Sequence, residues 1–226
     1  MPLLGQALVG IWHGVQPGQQ DEYQAWHTHE HMPERLGVPG FLRGRRFSDW
    51  SLEPHPTFTL YEGAHLETFR SPGYLARLNN PTAWSNRVQP TMTSFLRGGC
   101  EVLLTVGQGV GGGMATVRLA GPDGDRARFE GDLAAAALRL RALPGVTAVH
   151  VARHEAAATG GETAETRMRP SVHSASFTHL VLIEGLGPAV LARADADVRA
   201  ILAGAGARDL ASNAYALEFE LLSPMR

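Results

Sequence analysis

Four residues in one short stretch of the chain combine the side chains needed for proton transfer on a hydrophobic compound. Trp26, Glu30 and Pro33 follow helical spacing, as do His27 and His31, which lie four residues apart on one side of a helix. An imidazole near its ordinary pKa exchanges a proton at neutral pH, and a carboxylate beside it can orient the ring. We predict His31 as the proton-transfer group, oriented by Glu30 or Glu34, with Trp26 as an apolar wall for a ring-shaped ligand.

Residues on the expected strands complete the candidate site. His13 and Tyr61 can enter from adjoining strands. Arg45 and Arg46 alternate in direction along their strand, so only one of them can face the same pocket, where it could bind a carboxylate or an enolate oxygen. The predicted catalytic pair is His31 and Glu30, and the predicted substrate-binding residues are Trp26, His27, His13, Arg46 and Tyr61.

The same stretch also satisfies the pattern His-x-x-Glu-His, in which two histidines one helical turn apart share a zinc ion. Pro33 follows two residues after His31, and a clear third ligand on a second long helix is missing from the sequence. We therefore predict no metal site. The residues demand no cofactor, although a haem or a metal bound by a histidine is an alternative that the sequence leaves open.

Two segments occur twice in the same order, which predicts a duplicated unit of about half the chain. Leu36–Phe41 recurs as Arg141–Val146 around a shared Pro-Gly pair, and Thr57–Gly63 recurs as His179–Gly185. The alignment sets the polar and aromatic cluster of the first copy against Gly131, Asp132, Ala135 and Ala136 of the second. Because the second copy keeps the turn but holds alanine opposite His31, we expect the first copy to carry the function.

Periodicity and turn signals predict the same order of elements in both halves. The first half is expected to contain a strand over residues 3–13, a helix from Asp21 to Leu36, strands Phe41–Phe47 and Thr57–Glu62, a helix Leu66–Leu78, an irregular or weakly helical stretch Pro81–Met92 and a strand Glu101–Val106. The second is expected to contain a strand Ala115–Leu119, a helix Ala127–Leu143, strands Val146–Ala152 and Thr178–Glu184, a helix Pro188–Ala203 and a strand Tyr215–Leu222.

Each half is thus a βαββαβ unit, whose natural form is a four-stranded antiparallel sheet with both helices on one face. We predict an α+β fold of two tandem ferredoxin-like units whose antiparallel sheets stack as an intrachain dimeric α/β barrel. The predicted domains are residues 1–107, which carry the histidine motif, a glycine-rich linker 108–113, and a mainly structural unit 114–226. An insertion near residues 155–174 is expected to be a mobile surface loop, and whether it covers the site stays open.

The stretch Glu22–Phe41, with Arg46 and Phe47 downstream, resembles the EthD-like branch of the dimeric α/β-barrel superfamily. In that branch a Trp, a Glu-His pair, a nearby Pro and a Pro-Gly turn occur in the first helix and the strand after it. The matching residues here are Trp26, Glu30, His31, Pro33, Pro39 and Gly40. The resemblance also points to His31 as the functional histidine. Superfamily barrels are usually built from two chains, so this chain looks like a fused version.

The resemblance implies a protein that handles small molecules but fixes no reaction, because members include isomerases, cyclases, monooxygenases and haem-handling proteins. We predict a small-molecule enzyme of the EthD-like type that uses a histidine for proton transfer on a hydrophobic carbonyl or aromatic compound. Isomerase, cyclase and oxygenase-like reactions all remain open. The alternatives are a non-catalytic small-ligand-binding or stress-related protein, and a haem- or metal-binding protein.

Composition excludes several other classes. The net charge of -2 and the pI near 6.5 create no broad positive field, so we expect no nucleic-acid partner. No apolar run approaches the roughly 20 residues of a membrane span, and we see no export signal, so we expect a cytoplasmic protein that does not contact membranes. The single Cys100 allows no internal disulfide. The expected partner is a small-molecule ligand, and the pseudo-dimer could associate further as a homo-oligomer.

Overall fold

The computed structural model describes residues 3–158, 161–170, 172–173 and 176–224 of the 226-residue chain. They form two compact units. Unit A contains Leu4–Gly99, the described part of Glu155–Ala175, and the chain from Glu218 onward. Unit B contains Leu3, Cys100–His154 and Ser176–Leu217.

Strands and helices alternate along the chain in the predicted order. The strands are β1 (Ala7–Val15), β2 (Phe41–Ser48), β3 (Thr57–Gly63), β4 (Met92–Gly107), β5 (Gly113–Ala120), β6 (Val146–His154), β7 (Val172–His173), β8 (His179–Gly185) and β9 (Arg208–Leu222). The α-helices are α1 (Gln20–Trp26), α2 (Met32–Leu36), α3 (Pro72–Asn79), α4 (Ala83–Val88), α5 (Arg126–Arg141), α6 (Ala164–Met168), α7 (Pro188–Arg193) and α8 (Asp195–Gly204). A π-helical turn, His27–His31, joins α1 to α2. Short 3₁₀ turns cover Leu66–Arg70, Gln89–Thr91 and Ala156–Ala158.

The predicted fold class is confirmed by the strand order. In unit A, β1 pairs with β3 and β4, and β3 pairs with β2, which gives the ferredoxin-like order β4-β1-β3-β2. In unit B, β9-β5-β8-β6 repeats this order. The order β1-β3-β2-β9-β5-β8-β6-β4, with β4 paired back to β1, is that of a closed antiparallel eight-strand α+β barrel. The two-residue strand β7 pairs with β4 in parallel as a ninth strand. Residues 108–112, within the predicted linker, lie between β4 and β5.

The duplicated Pro-Gly turns adopt the same conformation in both units. Gly40 has φ +93° and Gly145 has φ +79°, a left-handed region that glycine enters without strain. The carbonyl of Gly40 accepts a hydrogen bond from the Ala64 N–H (2.8 Å), and the carbonyl of Gly145 accepts one from the Leu186 N–H (3.0 Å). The turn therefore holds the start of β2 against the end of β3, and the start of β6 against the end of β8.

The core of unit A lies between its helices and its sheet. Alternate residues of β1, such as Ala7 and Val9, pack against Met32 and Leu36 of α2. A second cluster is formed by Tyr23, Trp26, Val88, Met92 and Phe95. These two clusters hold the helical segment that carries the histidine motif against the sheet.

Some predicted boundaries are wrong. The helix expected over Leu66–Leu78 is a 3₁₀ turn followed by α3, because Ser71 before Pro72 is extended and its hydroxyl caps α3. The stretch expected to be irregular or weakly helical contains α4, with its Thr82 cap. The strand expected from Glu101 begins at Met92, where small and polar residues such as Gly98 hide the strand pattern.

Two further helices differ from the prediction. The helix expected over Pro188–Ala203 is two helices, since the Ala194 N–H bonds to the carbonyls of both Val190 and Leu191 in a tightened last turn. The first helix begins at Gln20, so Asp21 lies inside its first turn and does not cap it.

Positions 159, 160, 171 and 174 of the insertion near residues 155–174 lie outside the described residues. Its described part is not simply a surface loop. It contains α6, in which Thr163 caps the helix and Glu165 is 1% exposed. None of the helices in the described ranges combines the length and apolar character needed to cross a membrane.

Candidate functional site

Pro33 gives the first helix of unit A a local defect. Proline has no N–H to donate to the carbonyl four residues back, and its ring clashes with that carbonyl. Directly before it the helix widens into the π turn, in which the Met32 N–H bonds to the carbonyl of His27, five residues back. Wide turns of this kind are rare and occur often at functional sites. The helix therefore accommodates Pro33 with a π turn over His27–His31.

The π turn brings Trp26 and His31 together. In a regular α-helix, residues five apart point about 140° away from each other and do not touch. Here their ring centroids lie 4.2 Å apart with an interplanar angle of 35°. The His27 ring also lies nearby, with its centroid 5.7 Å from that of His31. The widened turn thus collects an indole and two imidazoles on one face of the helix.

His31 has no hydrogen bond to any of the residues that the structure describes, and its Nδ1 is buried. Burial lowers the pKa of His31 well below its ordinary value, and the Arg35 and Arg169 cations lower it further. The ring is therefore neutral at pH 7. A neutral imidazole carries one N–H and one nitrogen lone pair, so His31 can both donate and accept a hydrogen bond.

His27, in contrast, is held in one tautomer. Arg46 Nη1 lies 3.3 Å from His27 Nδ1, and since a guanidinium only donates, Nδ1 must be the acceptor. The ring proton is then on Nε2, which lies 3.4 Å from the hydroxyl oxygen of Tyr61 and donates to it. Burial lowers the pKa of His27 and raises that of Tyr61, so both are neutral. The Tyr61 O–H proton consequently stays available as a donor.

Glu218 fixes Arg46 from behind. Its carboxylate accepts hydrogen bonds from Arg46 Nε (2.9 Å), Trp50 Nε1 (3.2 Å) and the Ser48 hydroxyl. Arg46 Nη1 also donates to the Thr28 hydroxyl (3.0 Å). Arg46 was predicted to bind substrate, but the structure places it where it orients His27 and ties the π turn to β2.

His13 is occupied by internal hydrogen bonds. Its Nδ1 donates to the carbonyl of Gly14 (2.9 Å), which leaves Nε2 as the acceptor for the Tyr23 hydroxyl (3.1 Å). Burial lowers the pKa of His13 to about 3 and raises the pKa of Tyr23 to about 12. His13 therefore supplies a neutral, fixed wall.

Glu30 faces away from the imidazoles. Its carboxylate accepts hydrogen bonds from the hydroxyls of Thr82 (2.5 Å) and Ser85 (3.4 Å), at the start of α4. The Ser85 hydroxyl also accepts the indole N–H of Trp26 (3.2 Å). Glu30 and Trp26 thus fix the π turn to α4, and in this arrangement Glu30 makes no hydrogen bond to His31.

These side chains surround a small cavity between the helices and the sheet of unit A. Its lining residues are Ile11, His13, Trp26, His27, His31, Thr59, Tyr61, Gln89, Met92, Phe95 and Arg169. Its volume is about 20 Å³. A single water molecule needs about 10–15 Å³, so the cavity as it stands has room for one water and not for a ring compound.

The insertion supplies one wall of this cavity. Arg169, directly after α6, donates from Nε to the side-chain oxygen of Gln89 (2.7 Å) and from Nη2 to Glu165 (3.2 Å). Its guanidinium carbon lies 3.9 Å from the centroid of the Phe95 ring. Glu165 also forms a buried ion pair with Arg35. The described part of the insertion is thereby docked onto unit A.

A metal or a haem fits these residues poorly. The described ranges contain no group of three or more His, Cys, Asp or Glu side chains arranged for one metal ion. His13 and His27 use their nitrogens within the protein, so His31 alone could offer a nitrogen to an iron. The Trp26 ring lies against the His31 ring, with the two centroids 4.2 Å apart. The cavity of about 20 Å³ would have to open much further to hold a macrocycle than to hold a compound of two or three rings.

Comparison with known proteins identifies the fold. No family model matches the chain, and no curated protein sequence matches it. An anthrone oxidase-like protein has the same fold with a TM-score of 0.62 at 13% identity, over 96% of this chain and 93% of that chain. A candidate monooxygenase of Fusobacterium nucleatum gives 0.56 at 11% identity, over 97% of this chain and 96% of that chain. A candidate monooxygenase of Lactobacillus acidophilus gives 0.55 at 8% identity, over 96% and 97%.

This chain shares the ferredoxin-like α+β barrel fold of these proteins. At these identities the likeness concerns the fold alone, and the barrel's chemistry has to be argued from its own residues.

Sequence reasoning identified much of the cavity wall. Of the predicted residues, the structure brings His31, Trp26, His27, His13 and Tyr61 to the cavity, and it places Glu30 and Arg46 behind it. Sequence reasoning missed other lining residues of the cavity, among them Gln89 and Arg169. Both lie in segments without strand or helix periodicity, and only the excess of Arg and Glu in residues 162–169 distinguishes that part of the insertion from a solvated loop.

Proposed function

We propose that unit A binds a hydrophobic aromatic or carbonyl compound and that His31 removes a proton from it. The observation that carries this proposal is the state of His31, a buried, neutral imidazole beside a cavity, without a hydrogen-bond partner among the described residues. A buried polar group left unpaired costs free energy, which a ligand can recover by pairing with it. His13 and His27, on the same cavity, are both paired.

The other lining residues have complementary roles. Trp26, Met92 and Phe95 offer apolar surface to a ring. The Tyr61 hydroxyl, oriented by His27, donates a hydrogen bond to a carbonyl or hydroxyl oxygen of the substrate. When a C–H or O–H bond next to that oxygen loses its proton to His31, negative charge develops on the oxygen. Preorganised donors stabilise such charge strongly in a site without bulk water.

Isomerisation, cyclisation and oxygenation of such compounds all include a deprotonation step, so the proposal covers these three reactions. The names of the solved neighbours favour the oxygenase-like reaction, since they include an anthrone oxidase-like protein and two candidate monooxygenases. An anthrone is an aromatic ketone with an acidic CH₂ group. A compound of that type would satisfy both the apolar walls and the proton acceptor.

We also propose a family for this chain. We assign the chain to the EthD-like branch because the motif of Trp26, Glu30, His31 and Pro33 occupies the cavity wall and its supports. We also infer that the two units arose by duplication. Matched backbone bonds at Gly40 and Gly145 support this, as do matched carboxylates: Glu62 accepts the N–H of Leu4, and Glu184 accepts the N–H of Gly111.

The small cavity favours one rival function. A volume of about 20 Å³ resembles a filled interior, which favours a non-catalytic scaffold or interaction role over catalysis. On the catalytic proposal, a ring compound enters when part of the wall moves. The wall contributed by Arg169 is the candidate, because the other lining residues belong to the helices, strands and turns between Ile11 and Phe95.

Hydrogen–deuterium exchange of a ketone tests the proposal without knowledge of the final product. The wild-type protein should accelerate exchange of the CH₂ protons of anthrone or 1-tetralone in D₂O, followed by NMR. His31→Ala should lower the rate by about 10²- to 10⁴-fold, the usual contribution of one general base. His29→Gln, at an exposed position of the same π turn, is the matched control and should exchange at the wild-type rate.

The outcomes separate the two functions. An unchanged rate in His31→Ala would reject His31 as the base. If the wild-type protein binds these ketones by calorimetry but does not accelerate exchange, the non-catalytic binding function is the correct one.

A further inference from the structure

Two buried arginines at the cavity end of the insertion share one carboxylate. Arg169 lines the cavity, and Glu165, itself 1% exposed, pairs with both Arg169 and Arg35. Arg35 has a second carboxylate partner, because Glu34 lies 3.4 Å from it. The three cavity histidines are neutral. Among the described residues, Arg169 therefore pairs with one carboxylate, which it shares with Arg35.

Arg169 brings a positive charge to the cavity wall. Burial lowers the pKa of Arg169 to about 10, which still leaves the guanidinium protonated at pH 7. Replacing a buried ion pair by apolar residues is often neutral or stabilising, so fold stability alone gives little reason to keep a cation here. An anionic ligand in the cavity would give Arg169 a partner that it does not share with Arg35.

The uncharged polar groups on the wall point to the same ligand chemistry. Gln89 uses its side-chain oxygen to accept from Arg169, which leaves its amide N–H₂ as a donor, and this nitrogen is buried without a partner among the described residues. Tyr61 likewise keeps its O–H proton for a ligand. Next to Arg169 the wall therefore offers hydrogen-bond donors, and the acceptor is the nitrogen lone pair of His31.

We propose that Arg169 is the counter-ion of a substrate oxyanion, so that the site takes ring compounds whose oxygen is negatively charged in the bound state. This inference rests on the proposed function and names its substrate class: phenols and enolisable ring ketones. In the step concerned, His31 takes the proton of the acidic C–H or O–H bond. The electron pair of that bond moves to the oxygen, giving an enolate or phenolate, and Arg169, Gln89 and Tyr61 hold the resulting charge.

The insertion thereby acquires a specific role in the site. Glu165 anchors α6 to Arg35 and at the same time fixes the guanidinium of Arg169 beside Gln89. Arg167, on the same short helix, has an exposed side chain and pairs with the exposed Glu162. Arg169, directly after this helix, lies at the cavity, and Arg167 within the helix serves as the matched control.

Ionisation of a bound probe tests the proposal directly. Anthrone forms a coloured enolate, whereas anthraquinone has the same ring skeleton but no acidic C–H bond. Bound to the wild-type protein, anthrone should ionise about 1–3 pH units lower than in buffer, the usual effect of one opposite charge at close range. Arg169→Gln should abolish this shift, and Arg167→Gln should keep it. A shift retained in Arg169→Gln, or no shift in the wild-type protein, would overturn the proposal.

A second measurement covers the case in which Arg169→Gln does not fold. The Nε–H resonance of Arg169, assigned by its loss in Arg169→Lys, should move on addition of anthrone at a pH where the bound compound is ionised. Anthraquinone should leave it in place, and equal movement with both compounds would contradict the proposal. The result is independent of catalysis: an Arg169-dependent shift without accelerated exchange would reject the proposed function and keep this inference.

Discussion

The buried histidines of unit A should make its stability strongly dependent on pH. His13, His27 and His31 stay neutral in the folded protein because burial lowers the pKa of each, to about 3 for His13. In the unfolded chain they titrate near the ordinary value of about 6.5 and take up protons as the pH falls. The unfolded state then binds more protons than the folded state, so stability is complete above about pH 7 and decreases below it.

The size of the effect follows from the difference in bound protons. Between pH 7 and pH 5, one histidine that remains neutral only in the folded state costs about 1.9 kcal/mol of unfolding free energy. Three such histidines cost about 6 kcal/mol, comparable with the whole stability of many domains. Replacing one of them, as in His31→Gln, should reduce the loss to about 4 kcal/mol, whatever the substitution does to stability at pH 7.

Tryptophan fluorescence provides a suitable assay for urea unfolding at pH 7, 6 and 5. The four tryptophans of the chain, at positions 12, 26, 50 and 84, all lie in unit A. His29→Gln, which removes an exposed histidine from the same π turn, should show the wild-type pH dependence. If His31→Gln loses as much stability as the wild-type protein between pH 7 and pH 5, then His31 is not held neutral and the argument from its burial is wrong.

Two further predictions concern the supports of the site. Glu165→Gln removes the buried carboxylate that Arg35 and Arg169 share, so it should cost about 3–5 kcal/mol, or roughly 6–20 °C in melting temperature. Glu162→Gln, at an exposed ion pair of the same segment, should cost less than about 1 kcal/mol, and equal losses in calorimetry would contradict the docking of the insertion. Glu218→Gln removes the carboxylate behind the arginine that orients His27, so the ¹⁵N spectrum of His27 should change from the Nε2–H tautomer to a mixture. An unchanged tautomer would show that the orientation of His27 has another cause.

The fold could be predicted from the sequence because its signals are local and occur twice. The Pro-Gly turns that end in Gly40 and Gly145 require a left-handed residue, and each lies directly before a strand. The elements whose boundaries were wrong lack such signals. The early part of β4 is rich in small and polar residues, and its pairing with β1 determines its conformation more than its own sequence does.

Helix spacing and strand alternation could predict only part of the site. They placed His31 and Trp26 on one helix and Tyr61 on a neighbouring strand, and all three line the cavity. The role of Glu30 could not be predicted in this way, because it depends on where the distant residue Thr82 packs. Arg169 is separated from the motif by most of the chain, and its position follows from an ion pair and a hydrogen bond that no local pattern encodes.

The lowered pKa of His31 and the positive charge of Arg169 are linked. Burial and the nearby cations hold His31 neutral, so it is ready to accept a proton but is a weak base. A substrate oxyanion beside Arg169 would offset that positive charge and raise the pKa of His31 toward neutrality. His31 would therefore gain basicity only as negative charge develops on the substrate, which makes proton removal selective for compounds that can place the charge next to Arg169. Unit B, with Ala136 in an uninterrupted helix α5, has neither the base nor the widened turn.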